Sequence, residues 1–275
     1  MTRAGPGGGG AIRSLARRTL PAALLLLAPA AVAAEPASAA VPAVAVAYVA
    51  YAAALPVLRL HASYAIGPAA YEVKLAFDTA GVFGFLLHAH VDSTATGRLE
   101  DSRAHPGRYT SAGSIRGRPH VIQIDYAEGE PHIVQLSPKA DEEREPVPAA
   151  LQAGTIDNLS AMAELISAVA RTGRCDGTRR TFDGSRLSEL SSRTVGEETL
   201  EPTGRSSFSG RALRCDLEGR QIAGFPKDAD RAAAARPLHG TAWFASISPG
   251  TPAVPVRISF ETRFFGAATA YLVAK

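Results

Sequence analysis

With 275 residues and 46% hydrophobic content, the chain can bury the core of one large domain or two smaller ones. Its formal net charge of +3 is concentrated at the start, where Arg3, Arg13, Arg17 and Arg18 precede the first acidic residue, Glu35; without those four arginines the balance is −1. A near-neutral chain lacks the basic stripe that nucleic acid requires, so no nucleic-acid partner is expected.

In chain order, residues 1–34 read as a cleaved signal peptide. The arginines form a positive leader, "TLPAALLLLAPAAVAA" supplies a short apolar run, and Ala31-Val32-Ala33 or Val32-Ala33-Ala34 offers a small-residue cleavage site. That run is shorter than the roughly 20 residues a membrane span needs. No cysteine follows closely, which argues against a lipid anchor at a cleaved N-terminus, and the Arg17-Arg18 pair fits twin-arginine export poorly. The expectation is ordinary secretion, to the periplasm. Pro36 to Leu58 carries no charge, but Pro42 and Pro56 interrupt it and Val44, Val46 and Tyr48 alternate. This segment is expected to enter a sheet rather than a membrane.

From about residue 44 to 137 the chain beats with period two. Tyr71, Val73, Leu75 and Phe77 share a face in "YEVKLAFD", and Ile122, Ile124 and Tyr126 do so in "HVIQIDY". In "VFGFLLHAHVD" the expected row is Phe83, Phe85, Leu87, Ala89 and Val91. These patterns predict half-buried antiparallel strands, punctuated by turns such as "EGEP" and "HPGR". Residues 138–154, including "KADEEREPVP", read as a charged, solvated connector.

The rhythm then changes. Leu159, Met162, Leu165, Ile166 and Val169 recur at helical spacing, predicting a helix over about 156–172 that packs its stripe on the sheet. Thr155 or Asp157 can cap its start, Gly173 suits its end, and Arg171 and Arg174 complement its dipole. C-terminal strands are expected over about 178–274, with Val256, Ile258 and Phe260 on one face and Trp243 in the core.

The two cysteines lie far apart. Cys175 follows the helix and precedes the Asp176-Gly177 turn, while Cys215 ends "SSFSGRALRC". There is no C-x-x-C, and no ligand set for zinc surrounds either residue. In an exported chain the pair is expected to form one structural disulfide, stapling the helix-to-strand corner to a later strand.

Signals for chemistry are sparse. The best is "HAHVD", where His88, His90 and Asp92 would share a strand face and could contribute to a metal site, with His120 and His132 as more distant partners. The alternative is that this face looks at water, since the opposite one is apolar. No nucleophile elbow, S-x-x-K, H-E-x-x-H or phosphate-cradling loop occurs. The acidic groups Asp141-Glu142-Glu143 and Glu197-Glu198 read as solvated surface. No catalytic residues and no cofactor are expected.

The ordered segments "GTIDNLSAMAELI", "GRCDGTRRTFDGSR", "GRALRCDLEGRQIAGF", "TAWFA" and "PVRISFETRFFGAATAYLV" resemble the bacterial domain of unknown function 3108, in a version that carries a cysteine pair. "YEVKLAFDTAGVFGFLLHAHVDSTATG" and "HPGRYTS" resemble its N-terminal strands. The resemblance implies an exported, β-rich envelope protein with a helix, and brings no catalytic residues. In "FDGSR", Ser185 stands where that resemblance leads one to expect an arginine.

The expected fold is mainly β over residues 35–275: a large curved antiparallel sheet or incomplete barrel with one central α-helix. Three functions compete. The first is a non-enzymatic carrier holding an apolar or amphiphilic ligand between sheet and helix. The second is an assembly factor that binds another envelope protein, and the third a metal-dependent hydrolase using the His88/His90 face.

Overall fold

The computed structural model describes residues 42–81, 84, 87–262 and 266–274. The expected leader over 1–34, together with Phe83 and Phe85, lies outside the described residues. Seven strands come first: β1 Val44–Ala52, β2 Leu55–Ile66, β3 Ala70–Thr79, β4 Ala89–Glu100, β5 Arg103–Ile115, β6 Arg118–Ala127 and β7 Glu130–Ser137. Short helices α1 (Ala140–Glu143) and α2 (Ala149–Gln152) lead to the long helix α3 (Asn158–Thr172). The chain continues through β8 Gly177–Phe182, β9 Leu187–Leu200, β10 Gly210–Ala223, the short helix α4 Arg231–Ala234, β11 Leu238–Ala245, β12 Val254–Thr262 and β13 Gly266–Val273.

All the strands form one antiparallel sheet in the order β7-β6-β5-β4-β3-β2-β1-β13-β12-β11-β10-β9-β8. The first described strand, β1, therefore lies at the sheet's centre, and the chain meanders from it out to one edge and crosses through α3 to the other edge. From there it meanders back until β13 pairs with β1. Turn chemistry keeps the meander tight. The two-residue links Asp101-Ser102, Arg116-Gly117 and Glu128-Gly129 hold both residues at positive φ, the geometry that matches strand twist.

Period two is visible in the burial. Val44, Val46 and Tyr48 of β1, Tyr71 and Val73 of β3, and Ile122 and Ile124 of β6 are all buried. In the expected row that ends at Val91, Leu87 is not buried. Strand β4 begins at Ala89, with Leu87 exposed ahead of it while Ala89 and Val91 are buried. After β3 the chain turns: Gly84 N–H donates to Ala80 O at 3.1 Å, and Gly81 takes a φ of +59° beside Pro56 O.

Helix α3 sits between the two halves of the sheet. It packs on β2, β3, β4 and β5, and its other side faces β8 through β12. Strands far apart in the sheet order thus meet one helix, so the sheet curls around it without its edges β7 and β8 joining. Leu159, Ala163, Ile166 and Val169 point into the core; burying a side chain such as Ile166 is worth about 1.5–3 kcal/mol. Asp157 caps the helix by accepting from Ser160 N–H at 2.9 Å. Gly173 ends it in the left-handed conformation, φ +66°, donating to Val169 O.

The connector is more ordered than its composition suggests. Glu143 pairs with Arg118 at 3.4 Å, and Arg144 donates to Gly224 O at 2.9 Å. Its charges fasten the segment between the edges to β6 and to the end of β10.

Candidate functional site

The face of α3 turned away from β2–β5 is apolar and unfilled. Ala161, Met162, Leu165 and Ala168 are only half-buried there, and they look across a cavity of 390 Å³. The opposite wall is Leu190 of β9, Leu217 of β10, Leu238 of β11, and Ile258 and Phe260 of β12. The helical stripe read from sequence is therefore split: Leu159, Ile166 and Val169 fill the core, whereas Met162 and Leu165 line the cavity.

Residue size explains why the cavity lies on this side. The helix-facing surface of the first half carries Tyr64, Tyr71 and Tyr109, all buried. In the second half, Gly219 stands between Leu190 and Leu238, and Gly240 between Leu217 and Phe260, in the cross-strand register. Without side chains at these positions, the wall is recessed between the leucines. A mostly apolar hollow with few polar groups is the usual form of a small-molecule site, commonly about 300–1,000 Å³.

Asn158, Ser192 and one ion pair supply polar groups to the wall. Arg179 of β8 donates through Nε to Glu164 Oε1 at 2.7 Å, with side chains 27% and 19% exposed. Glu164 Oε2 accepts from the backbone N–H of Ala104 in β5 at 2.9 Å. Past Asn158, Leu190, Gly219 and Leu238 the cavity meets a polar recess of 300 Å³ that reaches Asp183 and Arg186.

The corner that shapes this wall is covalently pinned. Cys175 and Cys215 form a disulfide, with Cα atoms 6.3 Å apart. It reaches over β9, because Cys215 pairs with Thr194 and Thr194 Oγ1 accepts from Cys175 N–H at 2.8 Å.

A family model described as "Protein of unknown function (DUF3108)" matches residues 53–273. The chain belongs to this family. Among solved structures, the DUF3108 chain is similar to a beta-barrel-like protein of domain of unknown function DUF1849 from Brucella abortus. The two share 10% identity over 84% of this chain and 94% of that one, with a TM-score of 0.47. No curated protein matches.

The histidine face of this DUF3108 chain is solvent-facing. His90 and Asp92 are exposed on β4, and His90 Nδ1 lies 2.7 Å from Asp78 Oδ1 while its Nε2 lies 3.2 Å from Asp92 Oδ2. The Asp78 hydrogen bond, followed by its charge, raises the His90 pKa above the ordinary value. His88 is exposed just ahead of the strand. His120 does not join them: it pairs with Gly113, which pairs with Val91, and this places it on the opposite face. Burial there lowers its pKa. His132 pairs with Asp125 on the edge strand. Among the described residues, no group of three or more His, Cys, Asp or Glu is arranged to hold a metal ion.

Two further expectations change. Trp243 is not in the core but on the outer face, between buried Ala242 and Phe244. Arg214 and Arg257 stack against its ring, and its Nε1 donates to Glu198 Oε2 at 3.1 Å. Glu198 is accordingly a partner in a cross-strand cluster and not free surface. In "FDGSR", Ser185 N–H and Oγ both donate to Asp183 Oδ1, and Arg186 binds Oδ2. Burial works against the Asp183 carboxylate, but Arg186 and the turn's N–H groups outweigh it and hold the pKa below the ordinary value. The serine thus suits the turn. The site residues that sequence reading missed are Glu164 and Arg179, whose partners are remote in the chain and carry no local motif.

Proposed function

We propose that this chain is an exported envelope protein that binds an apolar or amphiphilic ligand, without catalysis, between α3 and the β8–β12 wall. The observation that supports this reading is the 390 Å³ apolar cavity whose walls come from both helix and sheet. A disulfide and an arginine-led leader support export. Among the described residues no helix is long and apolar enough to cross a membrane.

Native mass spectrometry on protein purified gently from the periplasm, followed by solvent extraction, tests the reading. A co-purifying amphiphile supports it and identifies the class. Protein without ligand that also fails to take up the apolar dye N-phenyl-1-naphthylamine ends it.

A second reading has one observation in its favour. Strand β7 is an edge of the sheet, and it exposes Ile133 and Val134 at a bulge opposite β6. An unpaired apolar edge is a template for another strand, which is the geometry an assembly factor would use.

A further inference from the structure

We infer that the cavity takes an amphiphile with an anionic oxygen head, a carboxylate or a phosphate, and that Arg179 receives that head. This rests on the cavity being a ligand site and adds to it the chemistry and direction of the ligand.

Three observations converge. First, Glu164 has both carboxylate oxygens committed, one to Ala104 N–H and one to Arg179 Nε. It therefore orients the guanidinium and has little capacity left for a ligand. Second, an arginine carries five N–H donors, and the contact to Glu164 uses only Nε. The remaining edge, with its two terminal nitrogens, is the fork that matches a carboxylate or phosphate. Third, the wall is graded. Arg179 stands on the edge strand β8, while Leu217, Leu238, Ile258 and Phe260 lie on β10 to β12, further into the sheet. Glu218, His239 and Glu261 alternate with these residues along β10, β11 and β12 and so lie on the outer face, which leaves the far end of the cavity wall apolar. A negative head is held at the β8 edge, where Arg179 stands, and the chain runs inward over the apolar wall of β10 to β12. Arg179 is then a binding residue and Glu164 a positioning residue.

The test compares hexadecanoate, hexadecyl phosphate and hexadecanol, below their aggregation limits, as displacers of N-phenyl-1-naphthylamine from the full mature protein. At least one anionic probe is expected to bind roughly tenfold tighter than the alcohol, and the tighter of the two identifies the head group. Arg179→Gln should erase that difference while leaving hexadecanol unchanged, with Arg179→Lys intermediate because it keeps charge without the fork. The anion-to-alcohol ratio of the unmodified protein should also shrink as salt is raised, a readout that needs no variant to fold. Equal binding of all three probes overturns the head subsite while leaving the apolar cavity standing. Binding of none overturns both. Equal weakening of all three by Arg179→Gln shows a merely structural arginine and overturns the assignment.

Discussion

The phenol of Tyr71 donates to Ser160 Oγ across 2.6 Å, tying β3 to the first turn of α3. Ser160 passes the contact on, donating to Asp157 through both its N–H and its hydroxyl. Tyr71, Ser160 and Asp157 are all buried, so this short chain of hydrogen bonds sets where the cavity's helical wall begins. Tyr71→Phe keeps the ring and removes the donor. It should cost about 1 kcal/mol, read as a lower urea midpoint with an unchanged slope.

Burial raises the Asp157 carboxyl to about 6. For an acid raised above its unfolded value of about 3.9, the sign is definite. Its contribution is fully present below pH 4 and is lost as pH climbs through 6, by roughly 3 kcal/mol. Asp183 works in the opposite sense, since its pKa is lowered: its contribution is present above the unfolded pKa and fades in acid. Asp157→Asn keeps an acceptor for the Ser160 N–H, gives up the one for the Ser160 hydroxyl equally at every pH, and removes the first dependence. The difference in stability between variant and parent should therefore move in the variant's favour from pH 4 to pH 7. A difference that stays flat in urea titrations across that range would contradict the argument.

The disulfide closes a sequence separation of 40 residues. On chain-entropy grounds its removal should cost about 4 kcal/mol. The double variant Cys175→Ser/Cys215→Ser is expected to melt well below the parent, with the largest loss of amide protection in β8 and β9. Uniform protection loss across β2–β5 as well would mean that the staple supports the whole sheet and not this corner.

Met162 faces the cavity from α3 and is only half-buried. Met162→Trp should fill the space with little effect on folding, and should weaken uptake of N-phenyl-1-naphthylamine by roughly tenfold or more. Met162→Ala should leave uptake intact. Undiminished uptake by the tryptophan variant would place the dye elsewhere.

Gly184 holds φ +91° while its turn packs on Ile122 and Leu136. Gly184→Val should destabilise by about 1–3 kcal/mol, because a β-branched side chain resists that backbone region and would press on Leu136. Gly129, also at positive φ but with open space around it, makes a fair comparison: Gly129→Asn should be mild. Thermal melting of the two variants checks both.

Local physics made much of this fold readable from residues alone. Alternation at Tyr71–Phe77 and Ile122–Tyr126 predicts strands because side chains leave a strand in opposite directions. Asp157 and Gly173 bracket the helix because unsatisfied N–H and C=O groups at helix ends need those residue types. The cysteine pair follows from count and from the expected export.

Other features had no local signature. Whether Met162 fills a core or lines a cavity depends on Gly219 and Gly240, which face it from strands more than fifty residues away. Trp243 reads as core until the register places Arg214 and Arg257 beside it on the outer face. His90 and His120 read as partners until pairing sets them on opposite faces of one sheet. Arg179 and Glu164 carry no signal in the sequence, and only the curl of the sheet brings β5, α3 and β8 together around them. The sequence determined strands, caps and staple, because each depends on residues close in the chain or on composition. The cavity and its charged edge were decided by tertiary structure alone, because they arise where a curled sheet closes on a helix.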